Sequence, residues 1–302
     1  MDGDEAKKSL INMFKNFETI SDPPPDHHYI KKNKGTTPSQ RIHREWKILD
    51  TSLPDSIFVR VYETRIDLMR AAIVGPQGTP YCDGLFFFDV LFPSTYPAQP
   101  PEVFYHSRGL FLNPNLYPSG KICLSLLNTW VGQEEEMWNP KQSTMLQVLV
   151  SIQALVLNEK PYYNEPARLR TFEADISPIF TKDAFVKTQA AMVYTLKRPP
   201  LQFEELVVWH FQKRAHQILV NFSGGMKMSK SSTRQLFLKL AEALEENGAC
   251  CEDLVDEVKK EEEASKEKID NSWFFMKIWN KLKDLLAGYE VEAEMLKQLG
   301  YY

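Results

Sequence analysis

Apolar and polar positions alternate in three short segments, residues 57–62, 68–74 and 85–91, and a fourth extended stretch follows at 102–106. Turn-forming residues such as Pro80, Asp83 and Gly84 interrupt them, so the pattern predicts a four-stranded antiparallel meander. Pro93, Pro97, Pro100 and Pro101 stiffen the approach to the fourth strand and keep it from becoming helical. Ahead of the meander, Ile42, Trp46 and Leu49 recur at helical spacing between a cap at Thr37 or Ser39 and about Asp50, while Arg41, Arg44 and Lys47 share another face. Behind it, Ser143 starts an apolar helix over residues 145–157 with little polar surface, as a helix laid across a sheet would have. Two more helices, 179–196 and 203–222, complete the expected core. The fold class that follows is α+β: a four-stranded antiparallel meander with an N-terminal helix, a central helix across the sheet and C-terminal helices.

Outside the core, residues 38–222, the pattern changes. Residues 1–37 hold a short mixed segment and then break at Pro23-Pro24-Pro25 and again around Gly35, which predicts a partly ordered N-terminal extension. His27 and His28 diverge as neighbours and have no second ligand pair at a useful distance, so no metal site is expected there. Residues 223–302 read as a helical tail, amphipathic at 234–246, charge-dense at 252–268 and amphipathic again at 273–299. Trp273, Phe275 and Trp279 in that last stretch need burial, either on the core or on a partner.

A chain of 302 residues, 43% hydrophobic and 25% charged, can bury one good core and still carry such appendages. Its net charge of −4 argues against nucleic acid as the main partner, because phosphate binding calls for a basic patch, and favours protein partners. Cys82, Cys123, Cys250 and Cys251 stand at no framework spacing and no signal peptide precedes them, so a reducing compartment, cytoplasm or nucleus, is expected. No apolar run approaches the roughly 20 residues of a membrane span. No Gly-rich phosphate loop appears either, and no cofactor is expected.

The chemistry centres on Cys123. Ile122, Leu124 and Leu126 alternate with Cys123 and Ser125, so an extended segment would turn the three apolar residues inward and the thiol the other way. Pro114, Pro118 and Gly120 bend the preceding path and bring the carboxamide of Asn115 back toward the thiol. A thiol beside a neutral donor suits acyl transfer, since the donor can hydrogen-bond the oxyanion formed when a thioester carbonyl is attacked. On residue type alone, a Cys in an apolar run is more often an inert core residue, and the neighbourhood has to argue otherwise.

That neighbourhood, Tyr96-Pro97-Ala98-Gln99-Pro100-Pro101, Asn113-Pro114-Asn115, Gly120-Lys121-Ile122-Cys123-Leu124 and Trp138-Asn139-Pro140, resembles the ubiquitin-conjugating enzymes in order and spacing. Arg41-Ile42-His43-Arg44-Glu45 and the segment from Gly78 to Phe87 extend the likeness upstream, so it covers about residues 39–222. The Asn113-Pro114-Asn115 variant, the acidic insertion after Cys123 and Asp26-His27-His28-Tyr29 look most like the large conjugating/ligating hybrids, including the plant phosphate-homeostasis type.

The resemblance implies the UBC fold. It also implies that Cys123 takes ubiquitin from an activating enzyme as a thioester and passes it to a substrate lysine, with ATP used upstream. Asn115 would serve the oxyanion or hold the loop that makes its site. Glu165, or else Asn164, would be the gate residue that orients the lysine and removes its proton. Arg41, Arg44 and Lys47 would face the activating enzyme, although a solvated helix face explains a basic row equally. Ala98 would lie on the surface that meets a ligase, and Pro140 on a partner-binding surface.

Three departures qualify the likeness. Asn113 stands where most members have His, Ala98 where many present a large apolar side chain to RING-type ligases, and Phe58 where others have a small polar residue for non-covalent ubiquitin binding. Without the apolar knob an external ligase should bind weakly, as expected of a hybrid that selects its own substrates. Glu134-Glu135-Glu136 would attract lysines or the basic face of ubiquitin, or form a solvated loop. Three rivals stand beside this reading: a carrier of another ubiquitin-like modifier, a non-catalytic member of the fold, and a cysteine hydrolase for which His106 is the candidate base.

Overall fold

The computed structural model describes residues 14–32, 38–130, 132–165, 176–225 and 231–251, with Asp253, Asp256 and Lys277. The aromatic stretch 273–299 expected to seek burial therefore lies, apart from Lys277, outside the described residues. The chain divides into two compact units, Met1–Cys250 and Cys251–Tyr302. All the elements below belong to the first.

Five strands make one sheet in chain order: β1 Phe17–Ile20, β2 Ile57–Tyr62, β3 Leu68–Val74, β4 Leu85–Leu91 and β5 Glu102–Tyr105. β2 to β5 form the expected antiparallel meander. β1 corrects the four-stranded expectation, because it pairs in parallel with β2, Phe17 opposite Val59 and Ile20 opposite Tyr62, and makes the sheet mixed. Four residues carry too little alternation to be read as a strand. Phe17–Ile20 becomes one because the outer edge of β2 presents unpaired backbone groups, which it satisfies: Val59 N donates to Asn16 O at 2.6 Å and Glu63 N to Ile20 O at 2.9 Å.

β2 and β4 are buried along their whole length, so both faces of the sheet are covered. On one face Val59, Val61, Ala71, Ile73, Phe88 and Val90 pack against Ile42 and Leu49 of α1 (Ser39–Ser52) and against α2 (Met145–Ser151). α2 starts at a capping box, with Thr144 accepting from Gln147 N, and passes at Ile152–Val156 into a π-helical turn rather than continuing as α-helix to residue 157. Glu45 of α1 is fully buried yet satisfied, by Tyr96 Oη at 2.7 Å, Arg41 at 3.0 Å and the backbone N of Met145 at 2.9 Å.

The opposite face is closed by residues 14–32 and by the start of α4 (Glu204–Gly225). The Arg60 guanidinium lies 4.5 Å from the ring centre of Phe14 and 5.1 Å from that of Phe203. Phe58 packs edge-on against Phe14, and Phe87 against Phe203. Asp89, fully buried, receives Arg70 through two bonds of 2.6 and 3.0 Å, His106 Nε2 at 2.8 Å and the backbone N of His28 at 2.7 Å. Arg70 also reaches Asp26 at 3.0 Å. The segment expected to be partly ordered is thus, from residue 14 to residue 32, a strap fixed by charges. His27 and His28 serve it structurally: His27 Nε2 meets Met69 O at 3.1 Å, and the His28 ring stacks on Phe104.

α3 (Ile176–Lys197), α4 and α5 (Ser231–Glu246) complete the unit. Phe237, Leu240 and Leu244 of α5 are buried, and Phe222 and Phe237 meet at 5.7 Å, so the packed unit runs past the boundary expected at 222. α4 docks on the β3–β4 connection, with His210 Nε2 on Asp83 O at 2.8 Å and Arg214 Nε on Asp83 Oδ1 at 2.8 Å. Of the final cysteines, Cys250 is exposed and Cys251 buried.

Candidate active site

Residues 113–123 leave the sheet after β5 as a compact loop whose shape depends on Gly120. That residue has φ +88°, and an added Cβ would sit inside the Phe104 ring. Its carbonyl accepts from Tyr105 N at 2.8 Å, which ties the loop to β5. Single bridges from Leu116 to Asn113 and to Ile122 close the loop on itself. Ile122, Cys123 and Leu124 are all buried, and Ser125–Leu127 turns as a short 3-10 segment. The expectation of a two-faced extended segment with the thiol outward is corrected here: Cys123 is 3% exposed, because the folded-back loop covers the side that alternation would have left open.

Asn115 holds the backbone of the cysteine. Its Nδ2 donates to Cys123 O at 2.8 Å and its carbonyl accepts from Cys123 N at 2.9 Å, so both backbone groups of the cysteine are held by one residue eight positions away. Thr129 clamps the flanks: its hydroxyl lies 2.6 Å from Ile122 O and accepts from Leu124 N at 2.9 Å. Thr129 is not among the residues expected at the site. The only signal was a short hydroxyl side chain a few residues past the thiol, a type given to bonding nearby backbone.

Asn113, the departure from the usual His, is buried and uses its whole hydrogen-bonding capacity. Nδ2 donates to Tyr81 Oη at 2.8 Å and to Val156 O at 2.7 Å, and Oδ1 accepts from Asn115 N at 2.8 Å and from Asn164 Nδ2 at 3.2 Å. Asn164 Nδ2 also reaches Val156 O at 2.9 Å, and Asn164 Oδ1 accepts from Asn158. Of the two gate candidates, Asn164 is therefore built into the scaffold of the loop. Glu165, its neighbour, is half-buried just beyond the short turn Pro161–Asn164.

The other thiols and bases lie elsewhere. Cys82 donates to Asp83 Oδ2 at 3.2 Å and Gln77 Oε1 at 3.1 Å; burial first, and the Asp83 carboxylate second, push it up to about 12, which keeps it a neutral thiol. His106 is held by Asp89 on the strap side of the sheet, so it is not a base for Cys123. Among the described residues no group of three or more His, Cys, Asp or Glu could hold a metal ion, and no helix is long and apolar enough to cross a membrane.

Beside the loop, Leu124, Ser125 and Leu126 line a cavity of about 670 Å³ with Glu134–Glu136, Met137 and α2 residues including Gln147 and Ser151. The three carboxylates are exposed and form a 3-10 turn capped by Gln133. Leu155, 62% exposed, also lines it, so the cavity presents both apolar and acidic walls.

The basic row of α1 is split. Arg41 is turned into the core against Glu45, Ser143 O and the Tyr96 ring, so it is no open docking cation, whereas Arg44 and Lys47 are exposed. Ala98 and Pro140 are exposed on the loops near Trp138, whose Nε1 donates to Pro97 O at 2.7 Å.

Compared with known proteins, the chain matches the family model described as "Ubiquitin-conjugating enzyme" over residues 41–182. It is 49% identical over 251 residues to "Probable ubiquitin-conjugating enzyme E2 25" of Arabidopsis thaliana, covering 80% of this chain and 40% of that protein. It is 49% identical over 224 residues to "Putative ubiquitin-conjugating enzyme E2 38" of the same plant, covering 71% of this chain and 68% of that protein. It is 39% identical over 212 residues to "Dual E2 ubiquitin-conjugating enzyme/E3 ubiquitin-protein ligase BIRC6" of Homo sapiens, covering 64% of this chain and 4% of that protein. The chain thus spans less than half of the first of these relatives and about two thirds of the second.

Proposed function

The chain belongs to the ubiquitin-conjugating enzyme family, and from that premise we propose that Cys123 accepts ubiquitin as a thioester and passes it to a lysine amine. The observation that carries this reading is the double hold of Asn115 on Cys123, through Nδ2 and through its carbonyl, in a site assembled from neutral donors. In the first step the Cys123 thiolate attacks the thioester carbonyl of the charged activating enzyme; a new C–S bond forms and the activating enzyme's thiolate leaves. In the second an amine attacks, the Cys123 thiolate leaves, and the proton lost from the lysine ammonium goes to a base.

Asn115 serves the transfer to lysine. One N–H of its carboxamide holds Cys123 O, and the other serves the oxyanion that develops on the carbonyl oxygen of the acyl group bound to that sulfur, a contribution of about 2.7–4 kcal/mol where comparable donors have been removed. Glu165 is the gate that accepts the lysine proton. Because Cys123 is 3% exposed, the carboxyl terminus of ubiquitin reaches the sulfur as neighbouring side chains give way. Arg44 and Lys47 are the docking cations for the activating enzyme.

The hybrid reading, in which the chain also selects its own substrates, draws on the dual E2/E3 designation of the human relative and on the small exposed Ala98 where a RING-binding knob is absent. Covered as it is, the face of Phe58 takes no second ubiquitin without displacing residues 14–32. The protein works in the cytoplasm or nucleus, with no cofactor of its own.

A charging assay with activating enzyme, ATP and a panel of modifiers tests the proposal. The wild type forms a reductant-sensitive adduct with ubiquitin, Cys123→Ser forms a reductant-stable ester, and Cys123→Ala forms none. Charging of the alanine variant, or charging by a different modifier alone, overturns it.

A further inference from the structure

At the end of α2 the chain adopts a π-helical turn, in which Leu157 N donates to Ile152 O at 3.1 Å. The Val156 carbonyl, instead of capping another helical turn, receives two carboxamides, Asn113 Nδ2 at 2.7 Å and Asn164 Nδ2 at 2.9 Å. Those two side chains also bond each other, Asn164 Nδ2 to Asn113 Oδ1 at 3.2 Å. Asn113 Oδ1 then holds Asn115 N, and Asn115 holds Cys123. On the outer side Asn158 Nδ2 donates to Asn164 Oδ1 and to Leu155 O, while its own Oδ1 accepts from Lys160 N at 3.0 Å. Four asparagines therefore link three separate segments: the loop that holds the thiol, the end of the helix across the sheet, and the 158–165 loop that bears Glu165.

The direction of donation matters. A buried asparagine can give two hydrogen bonds and accept two, and Asn113 does all four. A fully satisfied network of this kind has one arrangement of its carboxamides, because inverting any amide would place oxygen against oxygen or nitrogen against nitrogen. Asn164 gives both of its bonds to oxygens, those of Asn113 and Val156, and receives one from Asn158. Both of its N–H groups are committed to the scaffold, and its oxygen is already held by Asn158.

We propose that Asn164 is a positioning residue for lysine transfer, acting through Asn113 on Asn115 and Cys123 and fixing the distance between the thioester and the loop that carries Glu165. The inference rests on the acyl-transfer reading above and deepens it, in that it divides the two gate candidates by role. Displacing reacting groups by about 1 Å can cost on the order of a hundredfold in rate, so a lost tie in this network lowers the transfer rate without touching the reacting atoms.

The test opposes two substitutions at one position. If Asn164 oriented or deprotonated the amine, Asn164→Asp would preserve or raise discharge of the charged enzyme to free lysine. As a positioning donor it behaves in the opposite way: the carboxylate would face the oxygens of Asn113 and Val156, so Asn164→Asp and Asn164→Ala both slow discharge about tenfold or more, with the maximal rate reduced and the lysine concentration at half-maximal rate unchanged. The pH profile of the residual discharge keeps the wild-type midpoint in Asn164→Ala and moves in Glu165→Gln. Asn158→Ala, which removes the donor from the half-exposed end, gives a smaller loss in the same sense and guards against a variant at 164 that does not fold. In nitrogen-15 spectra of the uncharged protein, the Asn115 backbone amide shifts in Asn164→Ala. That spectrum needs no ubiquitin, so failure of the charging reaction and failure of this inference are told apart. Discharge by Asn164→Asp at or above the wild-type rate, or an Asn115 amide unmoved by Asn164→Ala, overturns the proposal.

Discussion

Around Cys123 the groups that fix the backbone are neutral: the carboxamides of Asn113, Asn115 and Asn164 and the hydroxyls of Thr129 and Tyr81. On the far face of β3 and β4 the strap at residues 26–29 is fixed by charges, Arg70 and Asp89 at its centre, both fully buried. Burial alone would raise the Asp89 carboxyl, yet the bonds from His106 and Arg70 hold it well below the usual carboxylate range. His27 beside it is pushed down, chiefly by desolvation, and stays neutral with Nδ1 accepting from Tyr29 N. The two regions divide the work. Neutral donors hold the segment around the Cys123 sulfur without adding net charge to it, which suits the acyl transfer proposed above. A buried ionic cluster pins a segment to a sheet strongly and does so only within a range of pH.

The comparison breaks most readily at Arg70. Arg70→Ala leaves Asp89 and Asp26 without their guanidinium, and urea unfolding should show a loss of about 3–5 kcal/mol, while the fraction still folded charges Cys123 normally. A loss below about 1 kcal/mol would mean that the strap is held by other means. Asn115→Ala reverses the pattern: the fold and the charging step persist, and single-turnover discharge to lysine slows about a hundredfold or more. Equal discharge rates would remove Asn115 from the transfer step.

Acid should act on the strap, and in the same range on the contact that His210 of α4 makes with Asp83. The lowered value of His27 means that the unfolded chain binds its proton more readily, so the stabilising contribution is complete above the ordinary value of 6.5 and falls as pH drops below it, by at most about 1.4 kcal/mol per pH unit. Asp89, depressed in the fold, adds a loss in the same direction at pH values below the ordinary carboxylate value of 3.8. The groups facing His27 are Asp89 and Arg70 from the sheet, His106 beyond β5, and the Tyr62 ring. His27→Gln keeps a donor for Met69 O and should reduce the slope between pH 5 and 6.5, the remainder coming from His28 and His210, as urea midpoints read across that range would show. The smallest effect is expected on α1. Reversing Arg44 and Lys47 to Glu together should raise the concentration of activating enzyme needed for half-maximal charging by a few-fold, and added salt should narrow the gap to wild type.

Much of this was legible in order of residues. Ile57–Tyr62, Leu68–Val74 and Leu85–Leu91 are strands where alternation places them, because a period of two over six or seven residues specifies which side chains share a face. The motif around Cys123 and Asn115 gave the family and paired the two residues, and the structure joins them through two hydrogen bonds. Other features were hidden from any local reading. Arg41 shares a helix face with Arg44 and Lys47, but a buried carboxylate at Glu45 and a carbonyl at Ser143 draw it inward. Thr129 and Asn158 look like ordinary loop residues until a partner carbonyl is brought to them.

The sequence by itself determined the meander, the helix across it and the family, since each of these depends on periodicity or on residues close together in the chain. Only the tertiary structure decided that β1 adds to the sheet in parallel, that Cys123 is covered, and that Asn164 belongs to the scaffold. Those depend on where unpaired backbone groups and carbonyls such as Val156 O end up after folding, and groups 43 residues apart, like Asn113 and Val156, meet only when the whole core has formed.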